Sequence, residues 1–578
     1  RGFCDADSVK SFLKPDVTGL YDPFLMNGMD LAVDRILQAL DNNESILIYG
    51  DYDVDGVVST AVLYNFLSSS GANVEYFLPD RMEDGYGLTM TAVEKVLKHD
   101  AALIVTVDCG ITSVDEIELL NRYGRQVIVT DHHECKEVIP GAYAVLNPHK
   151  PDCCYPFKEL CGAGVTLKLV QAILSRRGDK EGYLKYLDLV ALATIADIVP
   201  LLGENRIIAS AGLKAMENTG NPGLAALIRK AGLGGKPLTS YGVAFGLAPR
   251  VNAAGRLGSA ERSVRLFTTK NRLLAEALAE ELDTENRNRQ ETEKKIIEEA
   301  IQFVDIHLDP QNDKVLVING EGWHNGVIGI VASKILEKYN RPCIVISVEN
   351  GVGKGSGRSI KSFNLFKALC FCESLLERFG GHEMAAGLTI KAENIDLFRK
   401  MINEYAGGIL TDVDLLPCIK IDAFVDKYEL TSENVSELML MAPHGPGNPG
   451  PVFGYSGFGA ADIRTLSEGK HLKMQLYDGS FFVEAIGFNM GDYADCISTG
   501  DALDVVFFPE INRWNGSEKL QLNLRDIKPC IYMAIDKNIV FTNPNDYNKY
   551  YNLMQELCSI KGYYRLDAAD LVPEKSEF

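Results

Sequence analysis

Three short apolar runs near the start of the chain have the pattern of buried strands. They are Ser45–Gly50, 102–107 and Gln126–Thr130, and helical patterns such as 57–70 and 90–99 lie between them. Short apolar runs of this kind are typical of strands that are buried on both faces. Their alternation with helices predicts a parallel sheet covered by helices on both sides, which is an α/β domain.

The later part of the chain changes its pattern twice. Residues 273–304 are highly charged and contain no Gly or Pro, which predicts one long solvated helix that connects two lobes. A second strand–helix pattern begins at Lys314 and ends near Tyr405. Turn-forming residues crowd 445–451, and short alternating runs follow them at 471–476, 481–486, 502–508 and 520–524. These runs predict a small all-β barrel.

The predicted fold class is therefore α/β: a parallel-sheet domain, a long connecting helix, a second α/β lobe and a C-terminal all-β barrel. The chain has 578 residues, a length that corresponds to about three to five domains. The predicted boundaries are 1–268 for the first domain, 269–306 for the connecting helix, 307–408 for the second lobe, 409–448 for a linker segment, 449–530 for the barrel and 531–578 for a C-terminal segment of unknown role.

Composition narrows the classes of protein. No run reaches the roughly 18 apolar residues that a membrane helix needs, and no signal peptide is visible. The 13 Cys have no framework spacing, so we expect free thiols in a reducing cytoplasm and no zinc knuckle. Because the first residue is Arg rather than Met, we allow for a missing N-terminal segment. The net charge of −21 argues against a broad nucleic-acid-binding face.

The first candidate site follows the first predicted strand. Asp51, Asp53 and Asp55 alternate along residues 50–56, and this spacing lets successive carboxylates converge on one or two cations. A calcium-binding loop is the alternative. Its twelfth position, however, is Val62 rather than the bidentate Glu of such loops, and a strand precedes it instead of a helix. We therefore favour a different kind of metal site.

Two further acids follow the other predicted strands. Asp108 precedes a Cys-Gly pair, and Asp131 precedes His132 and His133. Because sites in parallel sheets form at the carboxyl ends of strands, we expect these acids beside Asp51. Taken alone, each of the two segments also fits an ordinary polar turn.

Asp197 lies in the apolar run 189–200. A carboxylate in such a run must be paired, capped or metal-bound, because an uncompensated buried charge is very costly. A helix cap is the alternative. The whole set of carboxylates and imidazoles suits Mn²⁺ or Mg²⁺. Two such ions about 3.5–4 Å apart would stabilise both oxygens of a displacement at phosphorus. The sequence thus predicts two divalent cations as cofactors.

These residues resemble the DHH phosphoesterases, whose name spells Asp131-His132-His133. Residues 380–387 are similar to the G-G-H-x-x-A-A-G pattern of the DHHA1 lobe that accompanies this domain. Further runs at 250–257, 322–329, 353–359 and 447–453 resemble the branch of the family that degrades single-stranded DNA from its 5′ end. The resemblance extends to about Ile527, and it implies an oligonucleotide-binding (OB) fold for the barrel.

The resemblance implies a role for each candidate residue. The metal ligands are Asp53, Asp55, Asp108, His132 and Asp197, and Asp108 bridges the two ions. His133 is the catalytic partner that polarises the phosphate or assists the leaving oxygen. Where many members carry a His, this chain has Tyr49, and Asp51 is the candidate to compensate as a direct ligand or behind the ligands.

The resemblance also implies a grip on a 5′ phosphate by arginines, whose planar forks suit phosphate oxygens. For each arginine alone a surface salt bridge is the alternative. A few buried arginines and two dications would reconcile the net charge with a nucleic-acid substrate. In the barrel, bases would stack on aromatic side chains, although about half of these could be core. The candidate substrate-binding residues are Arg81, Arg256, Arg358, Ser356, Ser359, Gly381, His382 and Trp514, with Phe481, Phe482, Phe507 and Phe508 as further aromatics.

The implied function is a single-stranded-DNA-specific 5′→3′ exonuclease that works by a two-metal mechanism in DNA repair and recombination. Its implied partners are single-stranded DNA with a 5′ end, a helicase and a single-strand-binding protein, and we expect a cytoplasmic monomer. One alternative is a related phosphodiesterase for short oligonucleotides or cyclic dinucleotides, which should lack the long helix and the barrel. The other is a replication scaffold that has lost its metal acids, although the acids named above are intact here.

Overall fold

The computed structural model of the chain describes residues 2–80, 84–85, 87–310, 312–514 and 517–530. They form two compact units. The first holds residues up to Lys295 together with Leu440–Gly450, and the second holds Ile296–Met439 together with the residues from Pro451 onward. Each unit has its own hydrophobic core.

The first unit is built on a five-stranded parallel sheet in the order β2-β1-β3-β4-β5. In register, Gly50 pairs with Val107 and Val107 pairs with Thr130, so these three strands end level. The three strand predictions are confirmed to within one residue. The strands are β1 (Ser45–Gly50), β2 (Asn73–Phe77), β3 (Leu103–Val107), β4 (Gln126–Thr130) and β5 (Ala144–Leu146).

Helices cover both faces of this sheet, because alternate residues of each strand point to opposite sides. Ile46 and Ile48 enter one buried cluster, and Leu47 and Tyr49 enter another on the opposite face. A single π-helical turn, Val243–Leu247, precedes the helix α11. The helices are α1 (Ala6–Leu13), α2 (Met29–Asp41), α3 (Val54–Ser69), α4 (Met90–Val96), α5 (Val114–Arg122), α6 (Gly162–Arg176), α7 (Leu187–Ala196), α8 (Gly203–Met216), α9 (Pro222–Lys230), α10 (Ser240–Gly242), α11 (Ala248–Leu257) and α12 (Glu261–Thr268).

The predicted connecting helix is α13, Arg272–His307. Its many charged residues predicted a wholly solvated helix, but in the structure one stripe of it is buried. Ala275, Leu278, Ala279 and Leu282 recur at helical spacing and are buried in the core of the first unit. The polar sequence hid this stripe because only every third or fourth residue of a helix needs to be apolar.

The second unit begins with a five-stranded mixed sheet in the order β6-β7-β8-β10-β9. Only β6 and β7 run parallel, and the remaining neighbours are antiparallel. The strands are β6 (Leu316–Glu321), β7 (Cys343–Glu349), β8 (Val352–Arg358), β9 (Leu376–Gly381) and β10 (Ala385–Lys391), and the helices are α14 (Ile328–Tyr339), α15 (Leu365–Phe371) and α16 (Ile395–Gly407).

The rest of the second unit is the predicted barrel. Five strands close in the order β12-β13-β14-β16-β15, because β12 pairs with both β13 and β15, and β11 adds to β12. The strand β12 escaped prediction, since it is rich in Gly and Ala and two irregularities interrupt its ladder. The elements are β11 (Ala423–Phe424), α17 (Ser432–Leu438), β12 (Phe453–Leu466), β13 (His471–Asp478), β14 (Phe481–Gly487), β15 (Ala502–Trp514) and β16 (Ser517–Pro529).

The segment Leu440–Gly450 returns to the first unit. The buried Arg206 on α8 donates hydrogen bonds to the carbonyls of Leu440, Ala442 and Pro443 at 2.8–3.2 Å. It also donates to Phe12 O and lies 3.9 Å over the Phe12 ring. One guanidinium thus fixes both the start of the chain and this distant segment. Within the described ranges, no helix has the length and apolar character that would let it cross a membrane.

Candidate metal centre

The centre is built where three parallel strands end. Asp51, Asp108 and Asp131 follow β1, β3 and β4, and because these strands end level the three acids lie side by side. All three are at most 2% exposed. Asp108 has a φ of 61°, a left-handed conformation that is rare outside glycine. Such strain persists only where the surrounding structure holds it, and it is frequent at functional sites.

The N-terminus of α3 contributes two more acids. Asp53 is the N-cap, and its Oδ1 accepts hydrogen bonds from Asp55 N and Gly56 N at 2.9 and 3.1 Å. Asp55 in turn caps α6, since its two carboxylate oxygens accept from Gly162 N at 2.6 Å and Ala163 N at 2.8 Å. The start of one helix thereby fixes a carboxylate that belongs to another.

His132 lies among the carboxylates. Its Nε2 is 3.2 Å from Asp108 Oδ1, 3.7 Å from Asp55 Oδ2 and 3.7 Å from Asp197 Oδ2. Asp197 follows the last turn of α7 and is its C-cap. A carboxylate that caps a helix would instead lie at the N-terminus, where the free N–H groups are. The helix therefore offers this carboxylate no free N–H groups, and its side chain faces the imidazole instead.

Three overlapping groups of side chains offer ligand atoms within 4.8 Å of one another. Asp108 belongs to two of the groups, and His132 also belongs to two. The six residues predicted as metal ligands from the sequence are all present in these sets. The groups are Asp51 with Asp53 and Asp108; Asp55 with His132 and Asp197; and Asp108 with His132 and His133.

So many acids in a buried place perturb one another. Burial first, and then the charges of Asp55, Asp53, Asp197 and Asp51, raise the pKa of Asp108 well above its ordinary value. Burial, followed by Asp55 and Asp53, raises the pKa of Asp197 to about 9. The pKa of Asp53 is raised by the same causes, burial and then Asp55. The protein alone does not neutralise the negative charge of these carboxylates. Such a concentration of negative charge is typical of a cation site.

Asp131 differs from the other acids because its oxygens are fully engaged. Its Oδ1 accepts from His132 N, His133 N and His133 Nδ1, the last at 2.7 Å, and its Oδ2 accepts from Ile111 N at 2.9 Å. Burial alone would raise the pKa of Asp131, but the hydrogen bond and positive charge of His133 lower it. Burial opposes the charged form of His133, yet the bond to Asp131 raises the pKa of His133 to about 9.

Tyr49 does not take the place of a histidine ligand. Its ring is fully buried in the cluster on the far face of the sheet, and its hydroxyl donates to Gly87 O at 2.9 Å. Asp51, two residues later, lies on the side of the centre with Asp53 and Asp108. The structure therefore offers Asp51, and not Tyr49, as the additional donor.

Sequence reasoning placed Asp131 among the clustered acids but missed its supporting role, and it missed two further supporting residues. Asp131 orients His133 instead of joining the ligand groups. Asn147 is completely buried and donates to His133 O at 2.9 Å, which holds the same turn. Gly162 lies against Asp108, because an added Cβ would sit 2.5 Å from Asp108 Oδ1. Only the position of Asp131 beside two imidazoles gave a signal, since an acid next to His is a common orienting partner.

The predicted phosphate-binding residues of the second unit gather at one end of its mixed sheet. Ser356 and Arg358 alternate along β8 and are 3.3 Å apart at Oγ and Nη1. An added Cβ on Gly329, in the first turn of α14, would lie 3.0 Å from Ser356 Oγ and 3.2 Å from Arg358 Nη2. A helix N-terminus, a hydroxyl and a guanidinium thus share one place, which suits an anion.

The other predicted residues of this unit differ in exposure. Gly381 ends β9 and His382 begins the turn to β10; both are exposed, and His382 N donates to Ala385 O. Ala385 pairs with Arg358, so this turn lies at the same end of the sheet. Ser359 is 4% exposed, and its hydroxyl donates to Phe363 O at 2.6 Å, so that group holds a turn.

The remaining predicted substrate contacts are distributed as follows. Arg256 lies half-buried in the last turn of α11 in the first unit. Arg81 and the side chain of Trp514 lie outside the described residues. Phe507 is core and Phe481 packs against the core, whereas Phe482 is 56% exposed.

Comparison with known proteins gives three family matches along the chain. The DHH family N-terminal domain matches residues 45–194, the DHHA1 domain matches 312–408 and the RecJ OB domain matches 421–526. The single-stranded-DNA-specific exonuclease RecJ of Bacillus subtilis is 40% identical over 539 residues, covering 93% of this chain and 68% of that protein. RecJ of Thermus thermophilus is 36% identical over 513 residues, covering 87% and 71%.

Solved structures agree with the sequence matches. The crystal structure of RecJ in complex with Mn²⁺ from Thermus thermophilus superposes with a TM-score of 0.78 at 33% identity, covering 90% of this chain and 74% of that one. The complex of RecJ with Mg²⁺ from the same organism gives a TM-score of 0.72 at 31% identity, covering 90% and 72%.

Proposed function

The chain belongs to the RecJ family of single-stranded-DNA-specific exonucleases, and on that premise we propose that it hydrolyses single-stranded DNA from the 5′ end with two divalent cations, Mn²⁺ or Mg²⁺. The predicted fold class, with its DHH domain, DHHA1 lobe and closed OB barrel, is confirmed.

One contact carries the metal assignment. Asp108 Oδ1 is buried, accepts no hydrogen bond among the described residues, and nevertheless lies 3.2 Å from His132 Nε2. Two lone-pair donors that approach so closely without a hydrogen bond fit a shared cation between them. Oxygen donors with an imidazole also suit Mn²⁺ or Mg²⁺ better than zinc. We propose Asp51, Asp53, Asp55, Asp108, His132 and Asp197 as the ligands, with Asp108 serving both ions.

The cations would supply a water of lowered pKa and offset the charge on the phosphate. The protein holds the metal-ligating carboxylates in position. Asp55 and Asp53 are held by helix N-termini, and Asp108 is held by its strained backbone, so the donors need no rearrangement when the charge develops.

We propose His133 as the catalytic partner. Its Nδ1 is committed to Asp131, so its Nε2 is the atom available to a substrate oxygen. Although burial opposes the charged form, the hydrogen bond to Asp131 raises the pKa of His133 and so favours the protonated ring, which can donate to a phosphate oxygen or to the leaving oxygen. Asp131 keeps that ring in one orientation, as the acid of a hydrolase triad does.

Arg256, Arg358, Ser356 and His382 are proposed to bind the substrate backbone, with Arg81, Gly381, Ser359 and Trp514. The support is the anion-binding arrangement around Ser356, Arg358 and α14, together with an exposed His382 at the same end of the sheet. Half-buried arginines of this kind concentrate positive charge locally, which reconciles a net charge of −21 with a polyanionic substrate.

The test is digestion of end-labelled single strands with Mn²⁺. Wild type should release labelled mononucleotides at once from a 5′ label, but only shorten a strand that carries a 3′ label. Asp108→Asn should lose at least about 100-fold in rate. Asp188→Asn is the matched control, because Asp188 is also a buried acid but bonds Thr219 and Leu189 N instead of the centre.

Two results would contradict the proposal. Equal activity of the Asp108 and Asp188 variants would remove Asp108 from the centre. Faster hydrolysis of dinucleotides than of long single strands would favour the alternative, a phosphodiesterase for short oligonucleotides or cyclic dinucleotides.

We also propose cytoplasmic action as a monomer, in repair and recombination, beside a helicase and a single-strand-binding protein. An enzyme that needs single strands depends on proteins that open the duplex and keep it open. The boundaries at 268, 306, 408, 448 and 530 remain proposed domain limits, which limited proteolysis would test. Stimulation of degradation of a duplex by an added helicase tests the partner.

A further inference from the structure

The first turn of α3 leaves donors that the metal-binding loop must satisfy. The first N–H groups of any helix have no partner within the helix. Asp53 provides for two of them, because its Oδ1 accepts from Asp55 N and Gly56 N. Val54 N is left over, and Asn252 Oδ1 accepts from it at 3.2 Å.

A second contact joins the same two segments. Gly255 lies three residues after Asn252, on the same face of α11, and an added Cβ there would be 2.5 Å from Tyr52 O. The backbone of α11 therefore rests directly on the loop between Asp51 and Asp53. Only glycine permits such a close approach.

The helix α11 is itself braced. Arg250 Nε donates to Asp283 Oδ1 at 2.8 Å, and Asp283 is 1% exposed on α13. Arg250 also donates to Gly246 O at the preceding π-helical turn. The element that touches the loop is thus fixed at one end by a buried ion pair, and it carries Asn252 and Gly255 toward the centre.

We propose that Asn252 is a positioning residue for the cation site, an inference that rests on the proposed function. Its carbonyl oxygen takes the one N–H that the Asp53 carboxylate does not. Without it, Val54 N loses this acceptor, and we expect the carboxylate of the preceding residue, Asp53, to accept from it instead. Asp53 would then turn toward the backbone and offer its oxygens less well to a cation. Gly255, on the same face of α11, supports the same loop at Tyr52 O.

The experiment measures Mn²⁺ binding to the full chain by electron paramagnetic resonance in the absence of DNA, together with the melting temperature of the metal-free protein. The variant Asn252→Ala should bind Mn²⁺ about 10- to 100-fold more weakly, the range for residues behind metal ligands. Asn252→Asp keeps an acceptor at the same reach and should retain most of the affinity. At saturating Mn²⁺, the KM of Asn252→Ala for single-stranded DNA should equal that of wild type.

The matched control is Asn221→Ala. Asn221 likewise caps a helix of the first unit, accepting from Leu224 N at 3.0 Å, but it has no contact with the loop. It should lower the melting temperature without changing the affinity for Mn²⁺.

Each outcome decides a different point. If wild type binds Mn²⁺ and Asn252→Ala binds it equally well, the positioning role is wrong, whatever happens to its melting temperature. If Asn252→Asp is as weak as Asn252→Ala, acceptance from Val54 N is not the cause. If wild type binds no Mn²⁺, the proposed function fails first and the inference fails with it.

Discussion

Replacing Gly162 by Ala tests how tightly the centre is packed. Gly162 begins α6, and its N–H binds Asp55 Oδ2 while its Cα faces Asp108. An added Cβ would lie 2.5 Å from Asp108 Oδ1, 2.7 Å from its Cβ and 2.8 Å from its Cγ. Asp108 is 2% exposed and its strained backbone is held in place, so its side chain has no open space to enter.

The expected magnitude follows from these distances. Ordinary van der Waals contact starts near 3.5 Å, so Asp108 or the start of α6 must move by about 1 Å. A displacement of that size in a catalytic arrangement costs on the order of 100-fold in rate. Overpacking should also lower the free energy of unfolding by about 1–3 kcal/mol. We therefore expect kcat of Gly162→Ala to fall by about 100-fold while the protein stays folded.

The assay compares kcat and KM on end-labelled single strands with the melting temperature of each variant. Gly164→Ala is the matched control on the same helix, because the three atoms nearest to its Cβ all belong to the side chain of Leu160, the closest at 3.2 Å, and none belongs to the centre. Its kcat should stay within about threefold of wild type, since Ala also favours the helix. A Gly162→Ala enzyme with wild-type kcat would refute the claim that Asp108 is fixed where the structure places it.

Two further predictions concern buried charges. Asp131→Asn should lower kcat by about 10- to 100-fold with little change in KM, because His133 loses the partner that orients it; an unchanged kcat at saturating metal would deny Asp131 that role. Lys168→Met should lower the free energy of unfolding by about 3–5 kcal/mol in urea denaturation, because it leaves Glu204, 1% exposed and bonded to Lys168 at 2.6 Å, as an unpaired buried charge. The double variant Lys168→Met, Glu204→Gln should recover part of that loss, and no recovery would mean that packing rather than charge is responsible.

The sequence predicted that the acids of the centre lie together, because their proximity follows from the geometry of a parallel sheet. Strands β1, β3 and β4 are short and mostly apolar, so their ends were visible, and level ends bring the following acids together. The same argument could not separate Asp131 from Asp51 and Asp108. All three occupy the same position after a strand, and only the hydrogen bonds show that Asp131 serves His133 instead.

Contacts between distant segments were out of reach for the sequence. Nothing in the pattern of α11 shows that Asn252 would meet Val54, 198 positions away. Strand β12 was not predicted from the sequence for another reason. Its Gly and Ala residues give little alternation of apolar and polar positions, and the strand is formed by its pairing with β13 and β15. The apolar stripe of α13 was obscured by the charged residues on its other faces.

The return of Leu440–Gly450 to Arg206 has a consequence for synthesis on the ribosome. The chain completes Lys295 and then makes about 155 more residues before Gly450 exists. At about 5–20 residues per second, this takes roughly 8 to 31 seconds. Through that interval the guanidinium of Arg206 lacks the three carbonyls that later surround it. The nuclease unit therefore reaches its final form only after the whole DHHA1 lobe has been translated.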